Sequence, residues 1–331
     1  MTASQAKPSP RLTPLRADLL LLVCACVWGI SFLWQKQANN SVGALTYVGA
    51  RCLLGGLVVL PLAMRQRRRS APLTSAGRRA LLVGGLAAGL CMATASVFQQ
   101  TGLQSTTITN AGFITGLYVV FVPFLGSFAG QRVRVHAWFG VLLAIAGMFL
   151  LSFSHVTSVR DFSGFVEGLS TGDLWVLACA ATWAVHVQVV GWAAKRTDPV
   201  ALSVLQFFVG GAAATAMALA FEGPTIAGLQ AAATPIVLSA VFAVGLAFTL
   251  QAIAQDVAPP THTAILLSLE SVFGALTGVI WLGEEMGARQ FAGAGLMLGA
   301  ALVAQWPTKA RYANAATSAT SGATTASTSS R

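Results

Sequence analysis

Apolar residues fall in long runs along the chain, and short polar segments separate them. A run of about 20 such residues can cross the hydrocarbon of a bilayer as a helix, because a helix satisfies every backbone polar group internally. Ten runs meet that requirement, so the pattern predicts an all-α polytopic membrane protein with ten transmembrane helices. Their predicted ranges are 18–35, 43–64, 80–101, 108–129, 137–154, 173–194, 199–220, 235–255, 263–282 and 291–307.

Composition excludes the water-soluble classes of protein. The 331 residues are 55% hydrophobic and 9% charged, against roughly 25% charged in an ordinary soluble domain. The net charge of +10 does not indicate nucleic acid, because the basic residues lie in short clusters between apolar runs, where they set orientation in the membrane. We expect membrane lipids and a small-molecule substrate as partners, no nucleic acid, no cofactor and no metal, and a monomer or homodimer.

The distribution of Lys and Arg predicts the orientation. With the N-terminus in the cytoplasm, 16 of the 20 basic residues lie in inside segments and 3 in outside segments, which is a strong positive-inside bias. Both termini are therefore expected in the cytoplasm, at a bacterial-type inner membrane. Outside the helices we expect a cytoplasmic tail over 1–16, a periplasmic linker over 155–171 and a disordered cytoplasmic tail over 308–331.

The chain contains an internal repeat. Shifting it by 155 residues superposes six identical positions of the first and sixth predicted helices. These are Asp18/Asp173, Leu19/Leu174, Leu22/Leu177, Cys24/Cys179, Ala25/Ala180 and Trp28/Trp183. We predict two five-helix repeats, 17–154 and 172–307. Because five is odd, the second repeat starts from the opposite side of the membrane, and inverted repeats of this kind are typical of alternating-access carriers.

Several motifs resemble those of the EamA-type branch of the drug/metabolite transporter superfamily. They are Trp28-Gly29-Ile30-Ser31-Phe32, the embedded Arg51, Ser268-Leu269-Glu270-Ser271-Val272-Phe273, Leu282-Gly283-Glu284 and Gln290-Phe291-Ala292-Gly293. Ser271 stands where the family has a proline after the glutamate, so the bend that a proline causes is not expected there. The first-half counterpart of Leu-Gly-Glu, Gly130-Gln131-Arg132, lacks the acid.

The resemblance implies a ten-helix inverted-repeat fold and secondary-active transport of small organic solutes (metabolites, amino acids or drugs), commonly as an exporter. A channel, a facilitator or a lipid scramblase without ion coupling is the alternative. An enzyme is not expected, because the four histidines are scattered and no zinc-protease or nucleophile-elbow motif is present. No P-loop motif is present either.

Three ionisable residues lie inside predicted helices, where charge is costly and usually faces a cavity or a partner. Arg51 and Glu270 belong to different repeats, and we expect both to line the crevice between them and bind substrate. A structural ion pair is the alternative. Glu270 is also a candidate for proton coupling, because a carboxyl group away from water can alternate between charged and neutral forms. His186 is a second candidate, with a hydrogen-bonded packing role as its alternative.

Six further residues are candidates for the substrate cavity, because aromatic walls with a few polar groups suit organic solutes. They are Trp28, Trp183, Gln99, Tyr118, Gln206 and Gln251. Tryptophan and glutamine also fill helix interfaces, which is the alternative for each. Tyr47 is expected to be an interfacial anchor, and Pro123 is expected to bend the fourth helix.

Overall fold

The computed structural model describes residues 12–106, 108–152, 170–283 and 285–304. The predicted C-terminal tail and most of the predicted N-terminal tail and linker lie outside these residues. Every regular element in the described part is helical, and this confirms the all-α fold class.

Among the described residues, the first half has six α-helices, and the second half has eight α-helices and one π-helical segment. The first-half helices are α1 (Pro14–Ala38), α2 (Ala44–Arg69), α3 (Ser75–Gly102), α4 (Ile108–Gly116), α5 (Tyr118–Phe128) and α6 (Val135–Ser152). The second-half elements are α7 (Thr171–Ala194), α8 (Pro199–Phe221), α9 (Ile226–Ala231), α10 (Ala233–Leu238), the π-helix Ser239–Phe248, α11 (Thr249–Gln255), α12 (Pro260–Leu267), α13 (Glu270–Leu282) and α14 (Ala288–Ala304).

Eight helical segments of the described chain are long and apolar enough to cross a membrane. Three of them combine shorter elements, namely Asn110–Phe128, Ala233–Gln255 and Pro260–Trp281. Two further apolar helices, Val135–Leu151 and Ala288–Ala304, are shorter. These two pack against each other. The protein is therefore a multi-pass membrane protein.

Local sequence signals fix where the helices begin. The Thr13 side chain accepts a hydrogen bond from the backbone of α1, whose first residue is Pro14. Asp198 caps α8 in the same way ahead of Pro199. Ser170 and Asp173 form a reciprocal capping box at the start of α7. Each cap satisfies backbone N–H groups that have no partner within the helix.

The first helices of the two halves run in opposite directions. We call the side on which α1 begins the N face and the side on which it ends the C face. Near the end of α1, Lys36 donates to the carbonyl of Thr106. The Thr106 hydroxyl in turn donates to Asp173, three residues into α7. Helix α7 therefore begins on the C face, where α1 ends.

Small residues let the two halves approach closely. Helix α2 packs on α8, and α3 packs on both α7 and α8. A Cβ atom placed on Gly89 would lie 2.7 Å from the carbonyl oxygen of Gln206, and one on Gly210 would lie 2.7 Å from that of Gly89. Backbone contact of this kind gives membrane helices van der Waals packing that larger side chains would prevent.

The fourth helical segment of each half is interrupted at an equivalent place. Leu117 separates α4 from α5, and Ser268 with Leu269 separates α12 from α13. Pro123 lies within α5, six residues past the first interruption, so that interruption is not at the proline, and the bend at Pro123 stays a prediction. The second segment is interrupted at Ser268 and Leu269 although Ser271 stands in place of a proline. At both interruptions the backbone shifts to i−3 hydrogen bonds, such as that from Val120 to Leu117, which needs no proline.

The segment Ala233–Gln255 is π-helical at its centre, over Ser239–Phe248. Two of its carbonyl groups accept side-chain hydrogen bonds from α1. Trp28 donates from Nε1 to the carbonyl of Ala243 at 3.1 Å, and the Cys24 thiol donates to that of Ala247 at 3.1 Å. Wide helical turns free carbonyl groups for such contacts and occur frequently at functional sites.

Substitution of Gly29 by alanine is expected to destabilise the protein. A Cβ atom there would lie 2.5 Å from the Cβ of Phe273 and 2.7 Å from the carbonyl oxygen of Glu270, and neither atom can rotate away. Overpacking of this kind lowers the free energy of unfolding by about 1–3 kcal/mol. Thermal unfolding of the detergent-purified protein measures the change. Gly295→Ala is the matched control, because its Cβ would meet nothing within 4 Å. Equal midpoints for the two variants would contradict the close approach of α1 to α13.

Candidate functional site

A cavity lies between the two halves at the level of the helix interruptions. Its volume is about 520 Å³ when the space that opens to solvent is included. It is lined by Trp28, Ser31, Phe32, Gln35, Arg51, Gln99, Thr115, Tyr118, Trp183, Val187, Ala243, Phe248, Gln251, Leu267 and Glu270. Seven of the eight predicted substrate-binding residues are brought together here. The exception is Gln206.

Arg51 reaches the cavity from α2, and an aromatic ring supports it. The guanidinium carbon lies 5.0 Å from the centroid of the Tyr47 ring, and Tyr47 is one turn earlier on the same helix. The Tyr47 hydroxyl shares a hydrogen bond with Ser239 of the second half. The expectation that Tyr47 is an interfacial anchor was wrong, because its side chain is fully buried. A cation–π contact away from water holds Arg51 in place without neutralising its charge.

Glu270 and Tyr118 lie at equivalent places, each as the first residue after a helix interruption. Both are buried, and both line the cavity. Among the residues that the structure describes, the Tyr118 hydroxyl, the Oε1 atom of Glu270 and the Nε atom of Arg51 have no hydrogen-bond partner. Among the described residues, Arg51 and Glu270 do not form an ion pair. Because buried polar atoms need partners, these groups can bind water or solute in the cavity.

One wall of the cavity is aromatic and comes from both halves. The Phe248 ring, at the end of the π-helix, lies 4.6 Å from the Trp28 ring and 5.4 Å from the Trp183 ring, centroid to centroid. The Trp183 and Phe248 rings are stacked with an interplanar angle of 24°. This wall offers a broad apolar surface beside the charged side chains, as organic-solute sites commonly do.

Two glutamines complete the polar lining. Gln99 donates to the Thr115 hydroxyl at 3.2 Å. Gln251 donates to Oε1 of Gln255 at 3.0 Å, and its own Oε1 has no protein partner. Gln255 donates in turn to the backbone of Val187. The amide of Gln251 is therefore held in orientation by one group and presents its oxygen to the cavity.

Gln206 and His186 lie outside the cavity lining. Both are fully buried, and His186 Nε2 is 3.0 Å from Gln206 Oε1. The rings of Trp183 and Phe248 pack edge-on against the imidazole, at 5.1 and 5.8 Å between centroids. His186 therefore sits behind the aromatic wall in this conformation.

Eight cavity residues were missed by the sequence reasoning. They are Ser31, Phe32, Gln35, Thr115, Val187, Ala243, Phe248 and Leu267. A signal existed for three of them: positions 31, 32 and 35 lie three, four and seven residues after Trp28, so they share its helix face. No comparable signal marked Phe248, because its position depends on the π-helical turn.

A buried charged cavity within a bundle of apolar helices long enough to cross a membrane defines a polytopic membrane protein. Comparison with known families gives the same class. The model of the EamA-like transporter family matches residues 15–153 and again residues 170–305. The chain belongs to the EamA-like transporter family, and this confirms the resemblance drawn from its motifs.

Curated relatives span most of the chain. An uncharacterized transporter of Archaeoglobus fulgidus is 29% identical over 293 residues, which cover 87% of this chain and 85% of the relative. A WAT1-related chloroplastic protein of Arabidopsis thaliana is 25% identical, over 85% of this chain and 67% of the relative. A solved crystal structure aligns with a TM-score of 0.68 at 18% identity, covering 87% of this chain and 96% of the other. That structural likeness supports the fold.

Proposed function

We propose that the protein is a secondary-active carrier of small organic solutes that works by alternating access and exports its substrate. The observation that carries this proposal is the cavity itself. It lies between oppositely directed halves, at two equivalent helix interruptions, and it contains buried polar atoms without protein partners. Interrupted helices at the interface of inverted repeats are where carriers of this architecture bind substrate.

We propose that ten helices cross the membrane, eight of them the long segments and two of them α6 and α14. The repeats are then five helices each and inverted, as the opposite directions of α1 and α7 require. On the positive-inside rule the N face is cytoplasmic, because Arg65, Arg67, Arg68 and Arg69 end α2 there. Both termini then lie in the cytoplasm of a bacterial-type inner membrane.

The asymmetry of the cavity supports two alternating conformations. Ser31 and Arg51 line it, whereas the equivalent residues of the second half, His186 and Gln206, are buried away from it. Along α1 the lining continues to Gln35, one turn from the C face. An inverted repeat can adopt the mirrored arrangement, in which the second-half pair would line a cavity that extends toward the N face.

In this carrier, different cavity residues bind different parts of the solute. Arg51 binds an anionic or hydrogen-bond-accepting group of the solute, because the guanidinium presents a rigid fork of donors. Tyr118, Gln99 and Gln251 orient polar groups, and Trp28 and Trp183 with Phe248 contact the apolar body. Gln206 would join them in the mirrored conformation.

We assign proton coupling to Glu270 rather than to His186. Glu270 lines the cavity and has a carboxyl oxygen without a protein partner. His186 lies behind the aromatic wall and is hydrogen-bonded to Gln206. A carboxyl group that is exposed to each side in turn can take up a proton on one side and release it on the other.

Metabolite profiling tests the proposed function. Extracts and media of cells that produce the protein are compared with those of cells that produce Arg51→Gln, matched for the amount of protein in the membrane. A solute that is depleted inside and enriched outside only with the native chain identifies the substrate. Flux of that solute in proteoliposomes should then saturate and show counterflow. Flux that rises linearly with concentration and shows no counterflow would indicate a channel instead.

A further inference from the structure

A buried acid–histidine pair joins the two halves at the N face, away from the cavity. Asp18 lies near the start of α1, and His262 lies near the start of α12. Nε2 of His262 is 2.6 Å from Oδ1 of Asp18, and the side chains are 8% and 5% exposed. The other ring nitrogen, Nδ1, is 2.9 Å from the carbonyl oxygen of Ala304. This contact is the one ion pair among the described residues.

The hydrogen-bond geometry requires a proton between the two side chains. A backbone carbonyl only accepts, so Nδ1 of His262 must carry a hydrogen. Nε2 then either carries a second hydrogen, which it donates to ionised Asp18, or accepts one from protonated Asp18. The pair has no net charge in either form. Loss of the shared proton would leave the lone pair of Nε2 facing the oxygen of a carboxylate, and the contact would become repulsive.

An equivalent contact joins the two halves at the C face without such a proton. Asp173, the repeat partner of Asp18, accepts a hydrogen bond from the Thr106 hydroxyl of the first half. Its second oxygen accepts from the backbone and side chain of Ser170. The first helix of each half is thus tied, through its aspartate, to the start of the fourth helical segment of the other half. The Thr106 hydroxyl donates its own hydrogen and does not titrate in the physiological range, so this tie needs no shared proton.

Other ionisable groups near the N face do not replace the pair. Within the described residues, the helices that pack against α1 and α12 and the turns at their ends carry eight further ionisable residues on this side, all exposed or half-buried: Arg16, Arg132, Arg134, His136, Lys195, Arg196, Asp198 and Asp256. None of them is hydrogen-bonded to His262, whose two ring nitrogens are engaged by Asp18 and Ala304. Glu270 and His186 lie deeper, at the cavity and behind its aromatic wall.

We propose that Asp18 and His262 form a proton-binding latch, which closes the N face while it holds its shared proton and opens when that proton leaves. The inference rests on the carrier architecture but not on the identity of the substrate. The proton site is separate from Glu270. Because the tie at the C face binds no such proton, the latch makes opening at the N face alone sensitive to the pH on that side.

Pulsed electron–electron spin resonance measures the opening without a substrate. Spin labels are attached at Leu15→Cys on α1 and Lys195→Cys at the end of α7, both exposed, in a full-length chain whose five native cysteines are replaced. The protein is reconstituted in lipid nanodiscs. The distance distribution is recorded from about pH 5.5 to about pH 8.5, a range that spans ordinary histidine titration.

In the protein with the native Asp18 and His262, the distance between the two spin labels is expected to become longer as the pH rises. The open-to-closed ratio should change roughly tenfold, because one charge-assisted hydrogen bond is lost. Asp18→Asn should stay closed at every pH, because its amide can donate to Nε2 of neutral His262. His262→Ala removes both contacts and should stay open at every pH. Thr106→Val, which alters the tie at the C face, should keep the native response.

Several results would overturn the latch. The latch is contradicted if the distance distribution of the native protein does not change with pH. It is also contradicted if Asp18→Asn shows the same change with pH as the native protein. The response could instead disappear in Glu270→Gln and persist in Asp18→Asn, which would assign the proton to the cavity. If His262→Ala fails to fold, Asp18→Ala takes its place with the same expected result. A native pH response in a protein that moves no solute would support the latch and contradict the carrier proposal.

Discussion

Arg51→Gln is expected to lower the transport rate of the native solute by on the order of 100-fold, because the penalty for leaving a buried charge on the bound solute unpaired is about 3 kcal/mol or more. The guanidinium lines the cavity, its Nε has no protein partner, and the Tyr47 ring holds it there. The loss should appear mainly as a raised half-saturation concentration, since glutamine is shorter than arginine and carries no charge to pair with the solute. Solute flux into proteoliposomes measures it.

Two variants control that experiment. Arg51→Lys keeps the charge and loses the planar fork, so an intermediate loss of roughly tenfold is expected. Arg79→Gln removes an exposed arginine near the start of α3, outside the cavity lining, and should transport at the native rate. Native flux by Arg51→Gln, in a variant that inserts and folds normally, would remove the arginine from the substrate site.

Glu270→Gln is expected to lower uphill transport driven by a pH gradient by on the order of 100-fold. Solute exchange should continue at a reduced rate. The amide has nearly the same shape and can still hydrogen-bond to solute, but it cannot take up and release a proton. The carboxyl group lies at the helix interruption and lines the cavity. Flux with and without an imposed pH gradient, compared with counterflow at equal pH, separates the two effects.

Glu285→Gln is the matched control for the carboxyl group, because Glu285 is exposed and lies outside the cavity lining. It should retain gradient-driven transport. The assignment of coupling to Glu270 fails if Glu270→Gln still accumulates solute in response to a pH gradient. It also fails if collapse of the gradient leaves native transport unchanged.

The sequence predicted those parts of the fold and site that depend on apolar length and on burial of charge. Long apolar runs located the helices, and the cost of charge in a membrane singled out Arg51 and Glu270. Over the third and fourth predicted helices of each half the repeat offset is 152 residues, which pairs Tyr118 with Glu270, and the structure places both at equivalent helix interruptions. These inferences need no knowledge of how helices pack.

Features that depend on packing between the halves were not predicted. The sequence has no proline at Ser268 and so gave no signal for the interruption there. The interruption is visible only in the folded backbone, which forms i−3 hydrogen bonds at this point. Tyrosine near the end of an apolar run is typical of an interfacial anchor, but Tyr47 contacts Arg51 and Ser239. Ser239 is 192 residues away in the sequence. Gln206 is bonded to His186 and lies outside the cavity lining, and a repeat alignment does not specify which side chains face a cavity.

Sided cysteine labelling tests most directly whether the two halves enter the bilayer from opposite sides. Arg16→Cys and Thr171→Cys place exposed thiols at the starts of α1 and α7. Intact cells and inside-out vesicles are treated with a membrane-impermeant maleimide, and Asn40→Cys, beyond the end of α1, marks the C face. We predict that positions 171 and 40 are labelled in intact cells and position 16 in inside-out vesicles. Labelling of positions 16 and 171 from the same side would contradict the inverted arrangement and the carrier proposed from it.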